Sequence, residues 1–164
     1  MEIVSQNEEE ALRFAADCNR AECIGMRLIA RAEQTQTGLS YKLSRRGFST
    51  ACVNAVILKF IETDLVNDAR YAERWLKSRV LGINGKAPCP RLLYAALVNR
   101  GINRDVIKSV FNSVLDEDTE FILLQRFLDK NTKKKMPENY SLKGFLRYEG
   151  FSTPVINRYF EEIL

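Results

Sequence analysis

LSYKLSRRGFSTACVNAVILKF (39–60), LLYAALVNRGINRDVIKSVFNSV (92–114) and LKGFLRYEGFSTPVINRYFEEI (142–163) are one pattern written three times. Aligned on Gly47, Gly101 and Gly150, each carries leucines eight and four residues before the glycine: Leu39 and Leu43, Leu93 and Leu97, Leu142 and Leu146. A bulky apolar residue follows the glycine (Phe48, Ile102, Phe151), and after it comes a residue suited to capping a helix (Ser49, Asn103, Ser152). Apolar residues then recur at plus 5, 6, 9, 10 and 13: Cys52, Val53, Val56, Ile57, Phe60; Val106, Ile107, Val110, Phe111, Val114; Val155, Ile156, Tyr159, Phe160, Ile163. Steps of 1, 3, 1 and 3 wrap a single stripe around a 3.6-residue helix. The pattern therefore predicts helix, left-handed glycine corner, helix, three times over, because glycine alone accepts that corner without strain. The corner residues, glycines and plugs alike, are expected to build scaffold and to touch no ligand.

A third helix is expected before each corner. Ile24, Leu28 and Ala32 share a face over 21–33; Tyr71, Ala72, Trp75 and Leu76 do so over 68–81, and Phe121, Leu124, Phe127 and Leu128 over 118–129. The expected fold is all-α: an elongated array of three tandem three-helix, helix-turn-helix-like repeats spanning 21–63, 64–115 and 116–164. An acidic extension, 1–20, precedes them, with one helix expected over 8–17. Glycine spacings of 54 and 49 residues match three short helices per repeat. Repeats this small have little core of their own, so neighbours are expected to support one another. Loops are expected at 82–90 and 130–139.

Function is bounded by what is missing. The 164 residues contain no histidine, which removes the commonest general base, the commonest metal ligand and every Ser-His or Cys-His nucleophile. No GxxxxGK[ST] or GxGxxG loop is present. The four cysteines (18, 23, 52, 89) lack close pairing and read as reduced thiols, not as a zinc site or disulfides. No apolar run approaches the roughly 20 residues of a membrane helix, and the start lacks a secretory pattern. A cytoplasmic, non-enzymatic, monomeric protein without cofactor, metal or small-molecule substrate is the expectation.

The net charge of +4 is unevenly spread. Residues 1–36 hold seven acids against four bases, 37–61 hold four bases and no acid, and 62–115 hold nine bases against five acids. Lys42, Arg45, Arg46, Arg70, Lys77, Arg79, Lys86, Arg91, Arg100 and Arg104 are the candidate partner-binding residues. A basic stripe on a helical array suits phosphate or an acidic protein groove. For Arg45, Arg46 and Arg100 the alternative is compensation of the helix dipole, and Lys133–Lys135 reads as a solvated loop. The plainer roles of Tyr71 and Trp75, like those of the corner residues, are structural.

A rival reading is a tandem helix-turn-helix repressor or architectural DNA binder. Base reading needs side chains that reach base edges, and the third helices offer only Asn54 and Lys59, Arg104 and Lys108, Asn157 and Arg158. A remote third reading, an enzyme using Asp64 and Asp68, competes with Asp68 as the cap of its own helix.

On these residues the chain resembles the RecX family of recombination regulators, from about residue 21 to the end. The family's Arg-x-x-Ser…Leu…Lys-Leu…Gly-Phe run is matched by Arg31, Thr35 or Thr37, Leu39, Lys42, Leu43, Arg46, Gly47 and Phe48. DARYAERWLKSR (68–79), then Gly82, Gly85, Lys86 and Pro90-Arg91, match its most distinctive segment. Leu97, Gly101 and Ile102 close the second repeat as the family does, and the third matches by its GFS corner (150–152). Gly38 stands where the family usually has an acid, Asn67 replaces one acid of a usual pair, and Thr37 stands where serine is usual.

The resemblance implies a modulator of the RecA recombinase in DNA recombination, repair and the SOS response. Such a protein lies along the groove of the RecA–DNA filament and restrains strand exchange, ATP hydrolysis and co-protease stimulation. It implies weak, sequence-indifferent contact with single- or double-stranded DNA, and no cofactor. On this reading Arg79→Glu with Arg91→Glu is expected to weaken filament binding and leave melting intact.

Overall fold

A computed structural model describes residues 2–82, 88–131 and 141–163. Their regular structure is helical throughout: α1 (Glu2–Arg31), α2 (Gln36–Ser44), α3 (Thr50–Glu62), α4 (Asp68–Val80), α5 (Pro90–Val98), α6 (Arg104–Val114), α7 (Glu117–Asn131), α8 (Leu142–Tyr148) and α9 (Thr153–Ile163). The extension and the first expected helix are one continuous 30-residue helix, not two segments. Nothing between Glu2 and Ile24 breaks it, since the stretch has no glycine or proline. Pairs such as Glu9–Arg13, 3.7 Å apart at i,i+4, add to it. It ends where the Gln34 side chain donates to the Ala32 carbonyl at 2.7 Å and to the Leu28 carbonyl at 3.4 Å, the latter also accepting from the Ala32 amide.

All three corners turn at glycines in the left-handed region: φ is +87° at Gly47, +77° at Gly101 and +91° at Gly150. Each joins a short helix to a longer one, as expected. Thr35 caps α2, its hydroxyl accepting from the Gly38 amide at 3.0 Å, and Ser49 caps α3 by accepting from the Cys52 amide. Asn103 caps α6 through the Asp105 amide. Ser152 differs from the expectation. Its amide and its hydroxyl both donate to the Glu120 carboxylate, each at 2.7 Å, so Glu120 on α7 tethers the start of α9.

The chain divides into two compact units, one running to Tyr71 with Arg100–Ile102 added, the other holding Ala72–Asn99 and the chain from Asn103 on. The division between them falls within α4, between Tyr71 and Ala72. In the first unit α1 packs on α2 and α3. Its core holds Ala21, Leu39, Leu43, Val53, Val56, Ile57, Phe60 and Val66, and Cys52 lies among them; Phe48 packs at its margin. The stripe expected on α3 is thus buried residue for residue. The Phe60 ring lies so close to Gly25 that a Cβ there would stand 2.6 Å from it, which is why a glycine is kept within α1.

In the second unit α5 packs on α6, and both α7 and α8 pack on α9. Leu93, Leu97, Ile107, Val110 and Val114 are buried, as are Phe121, Leu124, Phe127, Leu146, Phe151, Val155 and Ile156. Leu123 and Glu120 join them although the periodicity did not select either. On α4, Ala72, Leu76 and Val80 are buried, while Tyr71 and Trp75 are half-buried at the margin. Arg126 donates to the Val80 and Gly82 carbonyls and so satisfies the end of α4.

Two buried thiols make stability depend on alkaline pH. Burial and then a hydrogen bond to Cys18 push Cys52 from 9.0 to about 12; burial and then the Glu149 carboxylate push Cys89 to about 11. Both values lie above those of the unfolded chain, so the folded state holds its protons more tightly. That contribution is complete below pH 9 and is lost as pH rises from 9 to about 11 for Cys89 and to about 12 for Cys52. For Cys89 the two-unit difference is on the order of 3 kcal/mol. Urea midpoints measured from pH 8 to 10.5 are expected to fall, and Cys89→Ala to flatten the decline. A slope that Cys89→Ala leaves unchanged would show that the thiol is not responsible.

Candidate partner-binding surface

The candidate cations divide by what already holds them. Lys42, Arg45 and Arg46 sit together at the end of α2. The Lys42 ammonium donates to Gln34 Oε1 at 2.6 Å, Arg46 Nη1 donates to the Lys42 carbonyl at 2.6 Å, and the Arg45 guanidinium lies 5.8 Å from the Tyr41 ring centroid. They compensate the carbonyl end of α2 while Arg45 and Arg46 stay exposed. Arg100 is half-buried at the second corner, where its carbonyl accepts from the Thr35 hydroxyl at 3.1 Å.

Arg70 faces inward to structure. Its Nε bonds Glu33 at 2.7 Å and its Nη1 bonds Asp64 at 2.6 Å, with Nη2 on the Asp64 carbonyl. Hydrogen bonding to Glu33 pushes its pKa up. Asp64 is the one described non-glycine residue with positive φ, +54°, and Arg70 fastens that turn. Asn67 Oδ1 accepts from the Arg70 amide at 3.0 Å, so asparagine caps α4 in place of the usual acid. Asp68 does not cap its own helix. Its carboxylate accepts from the Gln36 amide at 2.9 Å, opening α2, and burial raises its pKa despite that bond. Both carboxylates thus have structural partners, Arg70 for Asp64 and the Gln36 amide for Asp68.

On α4, Lys77 pairs with Glu73 at 2.6 Å and Arg79 lies over the Trp75 ring at 5.4 Å. Arg91 is half-exposed: Nη2 meets Glu149 Oε2 at 3.1 Å, its guanidinium covers Tyr148 at 4.8 Å, and its amide donates to the Glu149 carbonyl at 3.0 Å. Arg104 is exposed at the first position of α6. Lys86 lies outside the described residues.

Sequence reading missed Tyr41 and Tyr148. The signal was present for Tyr41, an aromatic four residues before an arginine, as Trp75 is before Arg79. For Tyr148 no local signal existed, since Arg91 is distant in sequence. The base-reading candidates of the third helices are largely engaged: Lys59 bonds Glu22 at 2.6 Å, Lys108 lies 3.7 Å from Asp105, and Arg158 is held by Asp118 and Glu162 over the Phe121 ring.

Among the described residues no three His, Cys, Asp or Glu side chains gather to hold a metal ion, and no helix is long and apolar enough to cross a membrane. What the geometry defines is an all-α protein of glycine-cornered helix pairs with arginines laid over exposed aromatic rings. No family model matches the chain. It is 30% identical over 149 residues to the regulatory protein RecX of Treponema pallidum (strain Nichols), covering 90% of this chain and 88% of that one. It is also 30% identical over 142 residues to that of Legionella pneumophila (strain Corby), covering 84% and 91%. The crystal structure of RecX from Lactobacillus salivarius matches with a TM-score of 0.69 at 20% identity, over 90% of this chain and 97% of that one, and so shares the fold. The chain belongs to the RecX family of regulatory proteins.

Proposed function

We propose that this chain binds the RecA–DNA filament and inhibits the recombinase, restraining strand exchange, ATP hydrolysis and co-protease stimulation, with no catalytic step of its own. One observation supports the reading above others: family likeness spans 90% of the chain, DARYAERW included. Exposed Arg45, Arg46, Arg79 and Arg104 supply cations for a polyanionic filament. A sequence-specific repressor is disfavoured, since of the third-helix cations Lys59, Lys108 and Arg158 lie against acids of this chain and, among the described residues, only Arg104 does not.

The test is the DNA-dependent ATPase of the cognate recombinase, with the chain added well below one per recombinase subunit. Slowing is expected; no slowing together with no filament binding ends the proposal. Arg79→Glu with Arg104→Glu alters two exposed residues, so stability is expected to fall by no more than about 1–2 kcal/mol, from the lost Arg79–Trp75 contact at the end of α4. Filament affinity is expected to drop, with a shallower dependence on salt. Unchanged affinity would move the contact surface elsewhere.

A further inference from the structure

In the second unit Pro90, Arg91 and Tyr94 of α5, Phe111 of α6, and Tyr148 and Gly150 of the third corner line an open surface pocket of about 320 Å³. Three of its six lining residues are aromatic. Tyr148 is 59% exposed, Arg91 lies over its ring, and Tyr94 meets Phe111 edge-on at 6.0 Å. The volume is at the small end of ligand pockets, roughly 300–1,000 Å³, and the walls are flat rings and one guanidinium plane. Such walls match a flat aromatic guest better than a branched aliphatic one. The charge around the pocket in sequence chooses among flat guests. The segments that form the pocket, 90–98, 104–114 and 142–150, hold five bases (Arg91, Arg104, Lys108, Lys143, Arg147) against two acids, Asp105 and Glu149, and Glu149 is paired with Arg91. Arg147 is exposed beside Tyr148. An aromatic guest on a polyanionic chain is an unpaired nucleobase.

We infer that this pocket takes one unstacked base of a single-stranded nucleic acid, with Tyr148 as the stacking face and the flanking arginines meeting the phosphates. Gly150 is part of the wall and, as glycine, adds no side chain to it. Stacking on any base makes the contact indifferent to sequence. The inference deepens the filament reading by giving this chain its own hold on the single strand. It is tested without recombinase, so that either can fail alone.

Full-length chain is titrated against a labelled thymidine oligonucleotide and against an abasic oligonucleotide of the same length and charge. Base stacking contributes about 1–3 kcal/mol per base, so wild type is expected to prefer the base-bearing strand by roughly tenfold. Tyr148→Ala is expected to abolish the preference and leave abasic affinity unchanged; Tyr148→Phe is expected to keep it. Tyr148 is largely exposed, so helix content serves as the folding control. Equal wild-type affinity for the two strands overturns the inference, as does a preference that survives Tyr148→Ala. Binding to neither strand also overturns it.

Discussion

Gly101→Ala is expected to destabilise the chain by roughly 2–5 kcal/mol, the most of any corner glycine. Two costs add there. A side chain in the left-handed region costs about 1–2 kcal/mol. A Cβ at Gly101 would also stand 2.2 Å from Thr37 Oγ1 and 2.4 Å from Thr37 Cβ, and overpacking of that kind costs about 1–3 kcal/mol. Moving Thr37 aside also loses its hydroxyl's 3.3 Å bond to the Gly101 carbonyl. Gly47 gives the control. Its φ is equally positive, but nothing lies within 4 Å of its Cβ position, so Gly47→Ala should cost only about 1–2 kcal/mol. Gly150 falls between, with the Arg91 amide nitrogen at 3.0 Å. Urea midpoints for the three alanine variants should rank in that order. Thr37→Gly, which costs about 1 kcal/mol in a helix by itself, should recover part of the Gly101→Ala loss. Equal losses at Gly47 and Gly101 would mean that the Thr37 contact carries no weight.

That ranking shows where the sequence stopped being informative. Each glycine announced a left-handed corner, because backbone conformation is a local property and the flanking leucines, plug and cap restate it three times. What each corner touches is not local. Thr35 and Thr37 reach the carbonyls of Arg100 and Gly101, and the Arg91 amide reaches the carbonyl of Glu149, across more than fifty residues in each case. In both places the first turn of a short helix docks on a later corner, and no spacing in the sequence encodes that. The buried faces were legible for the same local reason: a 3.6 period names Val53 or Ile107 without knowledge of the partner. Buried polar groups were not. Glu120 and Gln34 look like surface residues until their partners, the Ser152 amide and the carbonyls closing α1, are in place. The candidate surface was half legible on this account. Exposed Arg45, Arg46, Arg79 and Arg104 could be found by charge alone. Arg70 could not be told apart from them, because its partners Glu33 and Asp64 approach it only in the fold.

Arg91 is the sharpest case, and its replacement carries the second large effect. Glu149 is buried, and its carboxylate accepts from the Cys89 thiol at 2.7 Å and from Arg91 Nη2. Removing it in Glu149→Ala loses charge-assisted bonds worth about 1.5–3 kcal/mol and leaves a buried thiol without its acceptor, for a total of about 2–4 kcal/mol. The arginine is the more exposed partner and can turn to water, which limits that loss. Arg91→Glu loses the bond to Glu149 and in addition sets a second carboxylate beside one that cannot leave the interior, where like charges disfavour each other's ionised form. Its urea midpoint at pH 7 should therefore fall below that of Glu149→Ala. Charge reversal at Arg79 and Arg91 together is thus not the harmless surface probe that the sequence suggests, and lost binding in that variant would be confounded by lost stability. The backbone bond from the Arg91 amide to the Glu149 carbonyl survives in every variant, so a double-mutant cycle isolates the side chains. Arg91→Glu combined with Glu149→Gln should regain most of the midpoint, since the amide removes the repulsion and still accepts from Cys89. An Arg91→Glu variant that melts like wild type would return Arg91 to the freely exposed cations and remove the third corner's claim on it.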